Sequence, residues 1–157
     1  MLQYKKLKTV SLKNHPDYNE VWLQEAIAAE PAILGLGPLI LKDRERTHIG
    51  AGRLDMLLQG EDGSDRYEVE IQLGASDESH IIRTIEYWDR ERKVYPQYEH
   101  TAVIVAEDIT SRFLNVISLF NGHIPIVAIQ VTAVETGDSD RADFHESIGY
   151  GKARSAR

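Results

Sequence analysis

Asp55 and Glu70 are the residues whose types and placement could do chemistry in this sequence. Residues 53–59 (RLDMLLQ) and 67–73 (YEVEIQL) flank the segment GEDGSD, with Asp62-Gly63 at its centre. Asp-Gly is a strong hairpin signal, because both central residues of a type I′ turn need positive φ. With those two residues as the loop, Asp55 faces Glu70 across an antiparallel pair. The second segment alternates, so Tyr67, Val69, Ile71 and Leu73 point one way and Glu68, Glu70 and Gln72 the other. Directly opposed residues have Cβ atoms roughly 4.5–5.5 Å apart, and like charges there destabilise a sheet. A cation between the two carboxylates removes that penalty. Mg²⁺ suits the position, because it takes hard oxygen ligands and combines one or two carboxylates with water and substrate phosphate. Mn²⁺ accepts the same ligands and can substitute. Such an ion lowers the pKa of a bound water and stabilises charge on a phosphodiester under in-line attack.

The elements that must position this pair can be read along the chain. Residues 2–13 (LQYKKLKTVSLK) read as an amphipathic strand or extended arm, and His15-Pro16 breaks it. A helix follows from Asn19, with Asp17 and Glu20 spaced as a capping box and an apolar stripe through Val21, Trp22, Ala26 and Ile27. Pro31, Gly35 and Gly37 end it. Leu39 to Arg46 reads as a strand leading into the hairpin. Beyond Gly74, Ser76 or Asp77 caps a helix to about Val94, with a stripe of Ile81, Ile82, Ile85 and Trp88. Glu86–Arg90 and Asp89–Lys93 support that helix as i,i+4 pairs. Residues 101–106 (TAVIVA) are nearly all apolar, as in a strand covered on both faces. A helix over about 110–120 buries Phe113, Val116, Ile117 and Phe120, and residues 124–133 form a last buried strand. Strands alternating with helices imply parallel crossovers in this half.

The run G-R-L-D (52–55), fourteen intervening residues, then E-I-Q (70–72) resembles the D-x(n)-(D/E)-x-K signature of the PD-(D/E)XK nuclease superfamily. The resemblance covers roughly residues 17–132 and implies a restriction-endonuclease-like α/β fold: helix, β-meander, then helix–strand–helix–strand around a mixed sheet. It also implies a Mg²⁺-dependent phosphodiesterase acting on DNA, with Asp55 and Glu70 as metal ligands and catalytic residues. Gln72 stands where that family has its lysine; glutamine carries no charge but can orient a water by hydrogen bonds. The helix LQEAIAAEPAIL (23–34) is similar to the superfamily's N-terminal helix, which often contributes a metal-side glutamate. Glu25 is the candidate, ahead of Glu30, which adjoins Pro31.

A second reading stays open beside this one, a nuclease-fold binding or assembly module without catalysis. Gln72, the net charge of −7 and the lack of a basic stripe favour it. The bland alternative is that Asp55 and Glu70 lie on a solvated face, neutralised by Arg53 or Arg66. Glu68 reads as surface, His80 as structural, and Trp22 and Trp88 as core. Arg83, Tyr87, Arg90 and Arg92 read as a phosphate path or as a charged outer helix face. Lys5, Lys6, Lys8 and Lys13 fit a solvated strand edge better than a contact with a nucleic-acid backbone.

Other chemistries find little support. With no cysteine there is no disulfide, thiolate zinc site or cysteine nucleophile, and the six histidines lie at least 20 residues apart. Gly35-x-Gly37 runs into Pro38, no phosphate-loop lysine follows a glycine cluster, and no serine sits in a G-x-S-x-G elbow. At 157 residues and 42% hydrophobic, the chain holds one well-buried core, expected in residues 1–135. Residues 136–157 are polar and glycine-rich and read as a mobile tail or the edge of a longer chain. No apolar run is long enough for a membrane and no signal-peptide core is visible, so a cytoplasmic location is expected. A homodimer is compatible with all of this.

Overall fold

In the computed structural model the described residues are 7–135 and, as backbone, 142–146. The strands are β1 (Lys8–Val10), β2 (Leu39–His48), β3 (Gly52–Gly60), β4 (Asp65–Ala75), β5 (Glu99–Asp108), β6 (Ile126–Glu135) and β7 (Ala142–Glu146). The helices are α1 (Glu20–Ala29), α2 (Glu78–Val94) and α3 (Ser111–Phe120), and Pro31–Leu34 forms a 3₁₀ turn after α1.

The hairpin of β3 and β4 forms in the register expected from the sequence: Met56 pairs with Val69, Leu57 with Glu68, Leu58 with Tyr67 and Gln59 with Arg66. Its turn is of a different kind. Gly63 N–H donates to Gly60 O at 2.9 Å, and Gly63 takes φ +82° whereas Asp62 stays out of the left-handed region. Asp62 instead folds its carboxylate back to accept from Ser64 N at 3.1 Å and Ser64 Oγ at 3.0 Å. That local bond stabilises a four-residue loop around an ordinary turn, which centres on the same two residues and so leaves the register unchanged.

The sheet order is β1–β6–β5–β4–β3–β2, with β7 also on β6. β2, β3 and β4 run antiparallel, while β4, β5 and β6 are parallel and joined through α2 and α3. The expected mixed α/β architecture is therefore the one observed. Residues 142–146, part of the segment read as a polar tail, pair with Val131–Glu135 of β6. The main-chain groups that β6 leaves open along that edge are what a further strand takes up. Residues 136–141 and 147–157 of that segment lie outside the described residues.

α1 covers one face of the sheet and α2 with α3 the other. Leu23 and Ile27 of α1 pack with Met56, Leu58, Val69 and Ile71. Ile81 and Trp88 of α2 and Ile117 of α3 pack with Ala102, Ile104 and Ile126. Both stripes are rotated from the sequence reading. Asn19 caps α1, accepting from Trp22 N at 3.2 Å, so Val21 is exposed and Leu23, Gln24 and Ile27 turn inward. Ile82, Val116 and Phe120 are also exposed.

One contact fixes the N-terminal arm. The Glu107 carboxylate at the end of β5 accepts from the backbone N–H groups of Leu12, Lys13 and Gly74. Leu12 itself is buried in the core beneath α1. Glu107→Ala strips these three amides of their acceptor and is expected to lower stability by about 2 kcal/mol. Thermal unfolding followed by circular dichroism measures it; an unchanged midpoint would mean that water replaces the carboxylate without loss.

Candidate active site

Asp55 and Glu70 meet where the β3–β4 ladder opens. The main-chain register ends at Met56 and Val69, and beyond it the two acids bond each other's strands. Ile71 N–H donates to Asp55 Oδ2 at 2.8 Å, and Asp55 N–H donates to Glu70 Oε1 at 3.2 Å. The two side chains thus continue the ladder and hold each other in place. Gln72 lines the same cleft of about 480 Å³, so the expected trio is assembled on one side of β4. Its amide Nε2 donates to Asp77 Oδ2 at 3.1 Å. Asp77 is also the N-cap of α2, accepting from His80 N at 2.9 Å.

The helix glutamate is not the one expected. Glu25 is exposed and does not line the cleft, whereas Glu20, at the start of α1, does. The cap at Asn19 sets this rotation: Glu20, Leu23 and Ile27 share the inward face, and Glu25 falls outside it. From α2, Ser79, Arg83 and Tyr87 enter the cleft at i,i+4 spacing, and Arg53 enters from β3. Arg83 Nη2 lies 3.3 Å from Glu70 Oε2. Arg90 and Arg92, named with them from the sequence, act elsewhere. Arg90 donates to Ile49 O and Glu86, and Arg92 pairs with Asp89 and lies over Trp88. Tyr87 OH donates to Ala51 O at 3.1 Å and presses on Gly52. A Cβ at Gly52 would come within 2.8 Å of that hydroxyl, so glycine there is what lets the β2–β3 connection lie against α2.

Behind the cleft lies a buried charged layer that the sequence did not reveal. Glu68, read as surface, is fully buried, with Oε1 2.7 Å from His100 Nδ1. α2 covers that face of β4, and alternation alone says which side a residue takes without saying what covers it. Arg66, a candidate neutraliser of Asp55 and Glu70, belongs to this layer instead. It lies over the Tyr98 ring and 3.8 Å from Glu91. His80 is structural, as read, with Nε2 3.2 Å from Glu70 O.

Burial pushes the Glu70 carboxyl up to about 8, with further upward pressure from Asp55 and partial relief from the Asp55 N–H and Arg83. Asp55 is raised by burial against the Ile71 N–H and Arg83. Glu20 is raised by burial and then by Asp55. These acids crowd one another. Among the described residues no three or more histidines or acids close around one point. A donor set of two adjacent carboxylates, with Glu20 and Asp77 lining the same cleft, fits Mg²⁺, which keeps several waters. Asp55 and Glu70 would hold it, and it would supply an activated water and counter-charge for a phosphodiester.

The pH dependence follows from the sign of the Glu70 shift. The folded state holds a proton on Glu70 between the ordinary carboxyl value of 4.5 and about 8, where the unfolded chain has released it. That contribution to stability is present below the lower value and is lost as pH rises through the upper one. Between about pH 5 and about pH 8 the wild type should therefore lose more stability than Glu70→Gln. Parallel melting curves for the two proteins across that window would show that Glu70 titrates normally.

Comparison with known protein families and with curated proteins gives no match. Solved structures share the fold. A structure of EndoMS in complex with double-stranded DNA superposes with TM-score 0.60 at 16% identity, over 83% of this chain and 49% of that one. A repair endonuclease from Pyrococcus abyssi superposes with TM-score 0.56 at 16% identity, over 82% of this chain and 63% of that one. The chain thus spans about half the length of the first and under two thirds of the second. Its fold is that of these nuclease structures.

Proposed function

We propose that this chain is a metal-dependent nuclease that hydrolyses phosphodiester bonds in DNA. One observation carries the reading: Asp55 and Glu70, each bonded to the other's strand, stand crowded in a cleft that Arg53 and Arg83 also line. The likeness to an endonuclease structure that holds double-stranded DNA supports it at the level of fold. Asp55 and Glu70 would hold Mg²⁺ or Mn²⁺, and Glu20, which lines the cleft where Glu25 does not, would be a further acid beside them. Bound there, the ion supplies a nucleophilic water and counter-charge. Asp55 and Glu70, each bonded to the other's strand, fix the carboxylate oxygens at the β3–β4 opening, and Gln72 would orient the attacking water by a hydrogen bond. Tyr87, anchored to Ala51, closes one wall.

A second reading, a binding module that does not cleave, is favoured by the bond of Gln72 to Asp77, which occupies one of its amide donors. Incubating pure protein with labelled single-stranded and duplex DNA, with Mg²⁺ and with EDTA, separates the two. Cleavage that needs the metal and is lost in Asp55→Ala supports the nuclease. DNA bound and left intact under every condition supports the module.

A further inference from the structure

A phosphodiester brought to this cleft meets four acids, Glu20, Asp55, Glu70 and Asp77, and it can settle there only against positive charge on the protein or on an ion. Two cationic side chains line the cleft, and they differ in what they are free to do. Arg53 pairs with Glu45 at 3.4 Å with both side chains more than half exposed, out on the strand surface. Arg83 stands where α2 borders the cleft, between Ser79 and Tyr87, and reaches Glu70 Oε2 with Nη2 alone. Glu70 is its one ion pair among the described residues, and its side chain is 48% exposed toward the opening. Gln72, at the position next along β4 on the same side, is neutral and bonded to Asp77.

We propose that Arg83 grips the phosphate at the reacting bond. The nitrogen on Glu70 fixes the guanidinium, and the rest of its donor fork meets a non-bridging phosphate oxygen. A guanidinium is built for this: it is planar, always charged, and matches phosphate with two parallel N–H groups. Its placement on a helix, one turn from Tyr87, holds the fork against a rigid element. Positive charge beside the reacting bond thus comes from α2, and Gln72 has only a neutral orienting role. The inference rests on the nuclease reading for the reaction, but the phosphate contact itself does not require cleavage.

The test compares wild type, Arg83→Ala, Arg83→Lys and the double variant Arg83→Ala/Gln72→Lys, all as full chains. Cleavage of labelled DNA with Mg²⁺ is expected to fall on the order of a hundredfold in Arg83→Ala. Arg83→Lys, which keeps the charge and loses the fork, should recover part of it. The double variant, which returns a cation from the neighbouring strand, should recover at least about tenfold of that loss. Binding of the same DNA in EDTA, followed by anisotropy across a salt series, gives a readout that a purely structural role would not move. Losing one phosphate contact should reduce the salt slope by roughly 0.7–0.9 in Arg83→Ala and leave it unchanged in Arg83→Lys. Folding of each variant is checked by melting, and Arg83→Lys keeps the comparison usable if the alanine variant does not fold. Arg83→Ala with wild-type cleavage and an unaltered slope would overturn the inference. If wild type cleaves nothing but Arg83→Ala still loses slope, the nuclease reading fails and the phosphate contact stands.

Discussion

Asp55→Asn is expected to abolish DNA cleavage while leaving the fold intact and, without metal, slightly more stable. The variant keeps shape and an oxygen that can still accept from Ile71 N–H, so the opening of the β3–β4 ladder is preserved. It removes one of two crowded carboxylates, and with it the upward pressure that Asp55 puts on Glu70. What it takes away is half of the charge that can hold a divalent ion. A metal's contribution to transition-state charge is several kcal/mol, so losing about 4 kcal/mol lowers the rate roughly a thousandfold. Stability offers an independent reading. For a dissociation constant of about 1 mM, about 10 mM Mg²⁺ stabilises the wild type by roughly 1.4 kcal/mol. In a domain of this size that raises the melting midpoint by roughly 3–6 °C. Asp55→Asn should show no such rise beyond a matched ionic strength of Na⁺. An Mg²⁺ response that survives the substitution would mean that the ion binds elsewhere, and a wild type that responds equally to Na⁺ would leave Asp55 and Glu70 as ordinary buried acids.

The parts of this site that could be read from the sequence are those set by one hairpin. Asp62-Gly63 and the alternation of β4 fix which residues oppose, and that register survives although the turn is not type I′. Element order likewise fixes the parallel half, because an apolar strand after a helix has few places to go. The glutamate of α1 that lines the cleft is legible in the sequence as well. Glu20 lies three residues before Leu23 and seven before Ile27, the spacing of one helix face. Starting the apolar stripe at Val21 rotates the helix and brings Glu25 forward in its place. Arg83 and Tyr87 read either as a phosphate path or as a charged helix face, and the sequence leaves that choice open, since what α2 packs against is a tertiary fact. The buried layer had no local signal. Its members, Arg46 and His48 on β2, Arg66 and Glu68 on β4, Glu91 on α2 and His100 on β5, come from four elements. Each alone looks like an ordinary solvated charge.

That layer is where a single substitution should cost most in stability, and Glu91 is its centre. Its carboxylate is 1% exposed, with Arg46 Nε at 2.7 Å and His48 Nε2 at 3.3 Å on one oxygen and Arg66 Nη1 at 3.8 Å from the other. Arg46 also donates to Tyr95 OH, and Arg66 lies over the Tyr95 and Tyr98 rings. Glu91→Gln keeps the volume and removes the charge, so Arg66 remains in the interior without a counter-ion and Arg46 keeps only Asp43. Arg46 can turn toward Asp43, which it already reaches at 3.4 Å, but Arg66, only 7% exposed, has no such exit. Removing one partner from a buried ion pair typically costs about 3–5 kcal/mol. For a chain of this size that lowers the melting midpoint by roughly 6–20 °C. The excess over an exposed pair is what identifies the cause: Glu86→Gln, which breaks a surface i,i+4 bridge to Arg90, should shift it by about 2 °C or less. Adding Arg66→Met to Glu91→Gln should restore part of the loss, because the stranded charge is then gone and the stem volume is kept. A Glu91→Gln midpoint close to that of Glu86→Gln would show that water reaches the layer and screens it. Cleavage measured well below the midpoint should fall less than stability does, since Glu91 does not line the cleft. Its contact with the cleft runs through His48, whose ring stacks on Tyr87 at 5.4 Å, and through Tyr87, which bonds Ala51 in the turn that leads into β3 and Arg53.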